Sequence, residues 1–417
     1  MRFVFLLILT GLTGICSFAQ RECISFSYQQ QLLKDNPTLA SSFSQVEAFT
    51  LNKNHHKEPE LTLYGSVNSN IPVITIPVVV HVLYHSEAQN ISDAQILSQI
   101  EVLNKDFRKL NADAGKIPEV FRNYAADCYI EFKLATIDSK GRATNGIVRR
   151  KTGIQYFGID DRIKSYKIGG DDPWNPDEYL NIWVGNLAGS ILGYSSTLGG
   201  PKEKDGIVVR HSAFGTVGSA AAPFNLGRTT THEVGHWLGL QHIWGDTYCG
   251  DDLVDDTPPQ KNASTGCPSG TVISCTNSGN MYMNFMDFTN DACTNMFTVG
   301  QRERMRTSFE PGGSRHALLS SDGCTGIPVS IDESLESEIP IALTIYPNPV
   351  LQLLNIKMDN HSELMGEHIN IYNHLGQVVK QLRIGKGMLQ VDVSHLGKGM
   401  YFITVGEKKK VYKFVKQ

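Results

Sequence analysis

The run His232-Glu233-Val234-Gly235-His236-Trp237-Leu238-Gly239-Leu240-Gln241-His242 concentrates more chemistry than any other part of this 417-residue chain. Two histidines four apart on a helix share one face, one turn from each other, so both imidazoles can reach one ion. Gly239 can adopt the left-handed conformation that ends a helix, letting the chain swing His242 back as a third ligand. Three neutral imidazoles leave one tetrahedral position of zinc open to water, which is the catalytic rather than the structural arrangement. Glu233 stands beside the first histidine, placed to accept a proton from a water that the metal acidifies. The implied chemistry is metal-assisted hydrolysis, with His232, His236 and His242 as zinc ligands and Glu233 as general base. The alternative, histidines merely satisfied in the core of an amphipathic helix, must explain five specified residues in this order by chance.

Such a helix needs a scaffold, and the chain before it supplies one. Residues 74–84 read as a buried strand opening a folded domain. Ser92 caps a helix whose apolar positions Ile96, Ile100, Leu103 and Phe107 follow helical spacing. Strand patterns follow at 128–137, 180–184, 193–196 and 206–210, and Phe224-Asn225-Leu226 leads into the histidine helix. Strands mixed with two long helices indicate an α+β catalytic domain, here given as residues 58–326.

Length, charge and the two ends set the context. At 417 residues the chain holds more than one domain, and a net charge of −4 gives no sign of nucleic-acid binding. Arg2, an apolar run over residues 3–9 and Ser17-Phe18-Ala19 read as an export signal over residues 1–19, cut before Gln20. The apolar run is too short to span a membrane comfortably, and no other stretch is apolar enough to cross one, so no span is expected in the mature protein. Residues 20–57 are polar with short helical patterns such as 28–33, ending in an Asn/His/Lys-rich tail expected to be protease-accessible. Residues 327–340 form an acidic linker. Residues 341–417 carry six or seven short strands with turn signals between them, the pattern of a small β-sandwich without a catalytic constellation.

Export makes the cysteines informative. Loss of the signal removes Cys16 and leaves seven, an odd number in an oxidising compartment. Four of them, Cys249, Cys267, Cys275 and Cys293, lie in a loop-rich stretch after the histidines, where two staples would hold a segment with no core of its own. Cys23 stands alone near the new N-terminus and is taken as the free thiol.

The zinc run, extended to its third histidine, resembles the metzincins, and the fuller pattern is similar to the pappalysin family. Residues 78–82, the histidine run, Asp252-Leu253-Val254-Asp255-Asp256-Thr257-Pro258, Gly266-Cys267-Pro268, Asn284-Phe285-Met286-Asp287, Asp291-Ala292-Cys293 and 297–302 carry the resemblance over about residues 72 to 324. It implies a metzincin-type fold: a twisted mixed sheet, two long helices, a zinc helix and a methionine turn. The implied activity is that of a secreted zinc endopeptidase, made as a latent zymogen and acting on proteins or peptides. The C-terminal segment, with Tyr346-Pro347-Asn348-Pro349 and Leu396-Gly397-Lys398-Gly399-Met400-Tyr401, resembles the sorting domain of the Bacteroidetes type IX secretion system. That implies passage through the periplasm to the cell surface or medium, with the secretion machinery as partner.

Residue by residue, the resemblance implies the following. Met286 is the residue of the methionine turn, a soft apolar floor, or else an ordinary core methionine. Many metzincins place a tyrosine two residues later, and this chain has Phe288, so no phenol stabilises the oxyanion from there. Asp252, Asp255, Asp256 and Thr257 form a calcium loop of hard oxygen ligands, or else a solvated acidic turn. Cys23, in Arg21-Glu22-Cys23, occupies the fourth zinc position and keeps the enzyme latent, or else joins a third disulfide. Cys249 pairs with Cys275 and Cys267 with Cys293, leaving Cys128 with Cys324 as the remainder. Asp291 lies on the S1′ wall and favours arginine or lysine after the scissile bond, or else caps a loop or helix entry. The strand near Gly193 is a candidate edge for pairing with an extended substrate. Two rival readings are a catalytically silent surface-binding protein on the same scaffold, and a carbohydrate- or matrix-binding C-terminal module. Intact Glu233 speaks against the first, and export of a chain lacking residues 341–417 tests the second.

Overall fold

The computed structural model describes residues 23–55, 71–325, 343–358, 368–373, 378–385, 389–405 and 411–417. They belong to two compact units, Met1–Ile331 and Asp332–Gln417. The expected signal, residues 1–19, and the linker, residues 327–340, lie outside the described residues.

Two helices open the first unit, α1 (Ser25–Asp35) and α2 (Leu39–His55). The second runs through Asn52–His55, part of the tail expected to be open, and residues 56–70 lie outside the described set. The long strand β1 (Ile74–Tyr84) follows, and nine of its eleven residues are buried because both of its faces are covered. Helix α3 (Asp93–Phe107) starts where Ser92 accepts from the Gln95 amide at 3.2 Å, and the one-turn α4 (Glu119–Arg122) follows it. Strand β2 (Ile130–Leu134) pairs with the first half of β1, and β3 (Ile147–Lys151) with the second half. On the other side of β1 lies β4 (Leu180–Gly185), then β6 (Ile207–Arg210), all parallel. Strand β5 (Gly193–Ser195) closes the edge and runs antiparallel to β6.

Side chains alternate across this sheet with the period of two that a strand imposes. Val78, Val80, Val82, Ile182, Val184 and Val209 face Ile96, Leu103 and Phe107 of α3 and Val234 and Trp237 of the histidine helix. Leu83, Trp183, Tyr194 and Val208 form the opposite face, covered in part by Tyr28 and Leu32 of α1. The N-terminal segment therefore wraps the β5 edge and packs behind it.

Cys249–Cys275 and Cys267–Cys293 are the two disulfides. The remaining pairing is corrected: Cys128 and Cys324 are separate thiols, as is Cys23. Cys128 is buried just before β2, whereas the Cys324 Sγ lies 3.6 Å from the Lys133 carbonyl at the strand's far end. Five extended residues separate those ends by roughly 17 Å, well beyond disulfide reach.

After β5 and β6, helix α5 (Arg228–Trp237) carries the histidines and α6 (Val299–Thr307) closes the unit. Among the described residues the second unit has seven strands. A four-stranded antiparallel sheet is formed by β9 (His368–Tyr372), β10 (Val378–Arg383), β12 (Gly399–Val405) and β13 (Val411–Lys416). A three-stranded one is formed by β7 (Leu343–Tyr346), β8 (Leu353–Met358) and β11 (Leu389–Asp392). Leu354, Ile356, Ile369, Ile371, Tyr401, Ile403 and Phe414 share one core between the sheets, as a sandwich requires.

Candidate active site

Helix α5 is buried on nearly every face, and its composition follows from what it touches. A Cβ on Gly235 would lie 2.5 Å from the Met286 sulfur, so the methionine packs against bare helix backbone. The turn that carries Met286 is braced by Asn284 and Gln301, whose side-chain amides exchange hydrogen bonds at 2.8 and 3.1 Å. Gly239 has φ +94°, the left-handed turn needed to bring His242 back to the first two histidines.

The three Nε2 atoms converge: His232 to His236 3.1 Å, His236 to His242 3.1 Å, His232 to His242 3.3 Å. Each Nδ1 already faces an acceptor. His232 Nδ1 lies 2.7 Å from the Phe285 carbonyl, His236 Nδ1 2.9 Å from the Leu240 carbonyl and His242 Nδ1 2.6 Å from Asp246 Oδ1. Those partners place the ring protons on Nδ1, so three Nε2 lone pairs point at one another. Burial pushes His236 down to about 3, so that ring is held neutral. Nitrogen ligands at zinc distances sit about 3.3 Å apart in a tetrahedron, and the donor set fits that ion. The partners of Nδ1 are the outer shell that fixes ring orientation at metal sites.

A thiol of the N-terminal segment joins the three imidazoles. Cys23 Sγ clusters with the three Nε2 atoms within 4.8 Å, and this is the one such group of metal-binding side chains among the described residues. Cys23 forms a parallel bridge with Gly193 of β5. Its neighbour Ser25 donates to Glu233 Oε2 at 3.0 Å and accepts from the Ser195 amide at 2.9 Å. Cys23 Sγ is itself 3.6 Å from that same carboxylate oxygen. Gly193 must be bare here, because a Cβ would stand 2.9 Å from Glu233.

Phe288 edges against His242 and Trp244 at 4.8 Å each, and Trp244 stacks on His242 at 4.3 Å. The position without a phenol thus builds an apolar wall around the third histidine.

Other expected residues are distributed differently. Asp291 is fully buried, and its Oδ2 accepts from the Leu226 and Arg228 amides at 2.8 and 3.2 Å, at the entry to α5. The acidic run does not converge on one point. Asp252 is buried against the Thr257 hydroxyl and the Val254 amide, Asp256 accepts from Thr298 and the Gly300 amide at the start of α6, and Asp255 is exposed. Burial raises Asp252 to about 7. Asp246 and Ser25 are functional neighbours that the sequence reading does not single out, and Gly193, named there only as part of a substrate edge, also borders Glu233. A carboxylate four residues beyond His242 was the one available signal, and the other two act through pairing that only the fold creates.

A profile described as pregnancy-associated plasma protein-A matches residues 164–310, and one described as a secretion system C-terminal sorting domain matches residues 344–417. An extracellular metalloprotease of Pyricularia oryzae is 34% identical over 264 residues, covering 60% of this chain and 81% of that protein. The chain belongs to the pappalysin family of metalloproteases. Mature mirolysin of Tannerella forsythia, solved with a cleaved peptide, is similar at 49% identity and TM-score 0.58, covering 59% of this chain and 96% of that one. A promirolysin mutant from the same organism is similar at 44% identity and TM-score 0.65, covering 72% of this chain and 97% of that one. This pappalysin is a metalloendopeptidase, secreted by way of a type IX sorting domain. Among the described residues no helix is long and apolar enough to cross a membrane.

Proposed function

We propose that this pappalysin is a zinc endopeptidase made latent by its N-terminal segment and turned on when residues 20–57 are removed. The convergence of three Nε2 lone pairs, each ring fixed through Nδ1, carries the reading. Zinc bound there would acidify a water and polarise the scissile carbonyl. Glu233 would take the water's proton on its carboxylate as the water oxygen bonds to the carbonyl carbon, and would hand that proton to the nitrogen released when the C–N bond breaks. The edge of β5 offers backbone groups to an extended peptide, and Phe288 and Trp244 keep bulk water from His242. Cleavage-site profiling of the purified protein with and without chelator tests activity, metal dependence and self-processing together.

The thiol position of Cys23 supports a cysteine switch. Cys23→Ala in the full chain is expected to speed self-processing, about tenfold for each 1.4 kcal/mol of lost contact. The course of processing on a gel checks this, and an unchanged course means the thiol is not the latch. Calcium is proposed near Asp252 and Thr257, with backbone carbonyls completing the shell, supported by the buried position of the Asp252 carboxylate within an acidic loop.

The preference for arginine or lysine after the scissile bond is assigned to Asp291. Its contacts with two amides at the α5 entry also support a purely structural role, and one substitution separates the two. Asp291→Asn keeps an acceptor for those amides and removes the charge. A basic preference read by Asp291 falls about tenfold or more in that variant at nearly unchanged melting temperature. Identical cleavage profiles for the two proteins would rule the assignment out.

A further inference from the structure

Arg304 lies on α6 at 4% exposure, beneath the turn that follows the histidine helix. Its Nε donates to the Gly239 carbonyl at 2.8 Å, which fixes the plane of the guanidinium. Both remaining arms donate side by side to one carboxylate, Nη1 to Glu47 Oε1 at 2.8 Å and Nη2 to Glu47 Oε2 at 2.7 Å. Glu47 belongs to α2. A cavity between the N-terminal segment and the cleft floor joins this fork to the metal cluster, with Ser196, Leu198, His236, Leu240 and Arg304 among its walls.

We propose that Arg304 is a specificity residue of the mature enzyme, whose fork binds an aspartate or glutamate side chain of the peptide substrate at one fixed position relative to the scissile bond. The inference rests on the peptidase reading and on removal of α2 during activation. Removing Glu47 exposes a planar pair of donors at the cavity, already aimed and unable to lose their charge. A bidentate carboxylate is the partner whose shape matches the two exposed arms. Glu47 is in effect the first occupant, a carboxylate delivered by the chain itself. Asp252 is near enough to interact with the Arg304 charge, yet its carboxylate is held by Thr257 and the Val254 amide. Anchoring through Gly239 keeps the fork in register with His236, whose carbonyl accepts from the Gly239 amide at 2.9 Å.

The test uses the full chain activated by removal of its N-terminal segment, with matched peptides differing only by glutamate or glutamine at each position around one cleaved bond. At one position the glutamate peptide should be turned over about ten- to a hundredfold faster in kcat/KM than its glutamine twin. Raised salt should shrink that ratio. In Arg304→Gln the ratio should fall to near one, and because both peptides meet the same protein, general damage cancels. Should that variant fail to fold, Arg304→Lys, which keeps a donor for Gly239 and loses the fork, should show a reduced ratio. Ratios near one at every position in the unsubstituted enzyme, or a full ratio surviving in Arg304→Gln, overturn the proposal. A protein that cuts none of the peptides overturns the peptidase reading instead. In that case anisotropy with the same pairs on activated protein still decides the subsite: tighter glutamate binding supports it and equal binding overturns it.

Discussion

Glu233→Ala is expected to lower peptidase activity on the order of 10²- to 10⁴-fold, the usual contribution of a positioned general acid–base group. Zinc content should be unchanged. The substitution removes no ring nitrogen, and each histidine keeps its Nδ1 partner on another residue: Phe285, Leu240 or Asp246. Glu233→Gln should be nearly as damaging, since it keeps the shape and hydrogen-bonding reach of the side chain but no longer accepts a proton. In the full chain either variant should also accumulate unprocessed if activation is the enzyme's own work. Peptide turnover alongside metal analysis checks the prediction, and activity within tenfold of the unsubstituted enzyme in the alanine variant would exclude Glu233 as the base.

Metal removal should be more drastic still. Stripping with a chelator is expected to take turnover to background, and added zinc should restore it. The same treatment should reduce stability. Three buried lone pairs then face one another across 3.1–3.3 Å with no cation between them. With free zinc a thousandfold above its dissociation constant, the bound ion contributes about 4 kcal/mol to the folded state. Melting curves with and without chelator read this directly. An enzyme that keeps its melting temperature and its activity after verified metal loss would remove the basis of the proposed mechanism.

Much of this was legible because the ligands are local. Two histidines on one helical face and a third beyond a glycine need only helix geometry, and the chain obeys it. Their partners were harder to read. Two of the three Nδ1 contacts go to the backbone carbonyls of Phe285 and Leu240, and a carbonyl leaves no mark on residue identity. Strand β3 escaped notice because Arg149, Arg150 and Lys151 blur its alternation, although pairing with β1 makes it a strand. Helix α2 shows little segregation of apolar from polar residues, and it is held in part by contacts to distant residues, such as Glu47 to Arg304 and Ser42 to the Gly199 carbonyl. Asp291 shows how one residue type serves two purposes: a buried carboxylate suits both a basic substrate and a helix entry, and spacing alone does not separate them. Counting cysteines failed for Cys128 and Cys324, since a thiol is content in an apolar core and parity carries no distance.

Residues 23 to 25 bring three different controls into one short stretch. The thiol of Cys23 stands at the metal cluster, the hydroxyl of Ser25 engages Glu233, and that same oxygen holds the Ser195 amide of the edge strand. On the proposed reading, metal site, base and substrate rail would be held by neighbouring tumblers of a single key. Picking one tumbler, for instance by alkylating the thiol, leaves the other two set. If the proposed latency holds, losing the thiol would loosen the lock and speed processing, and full release would follow withdrawal of the whole key.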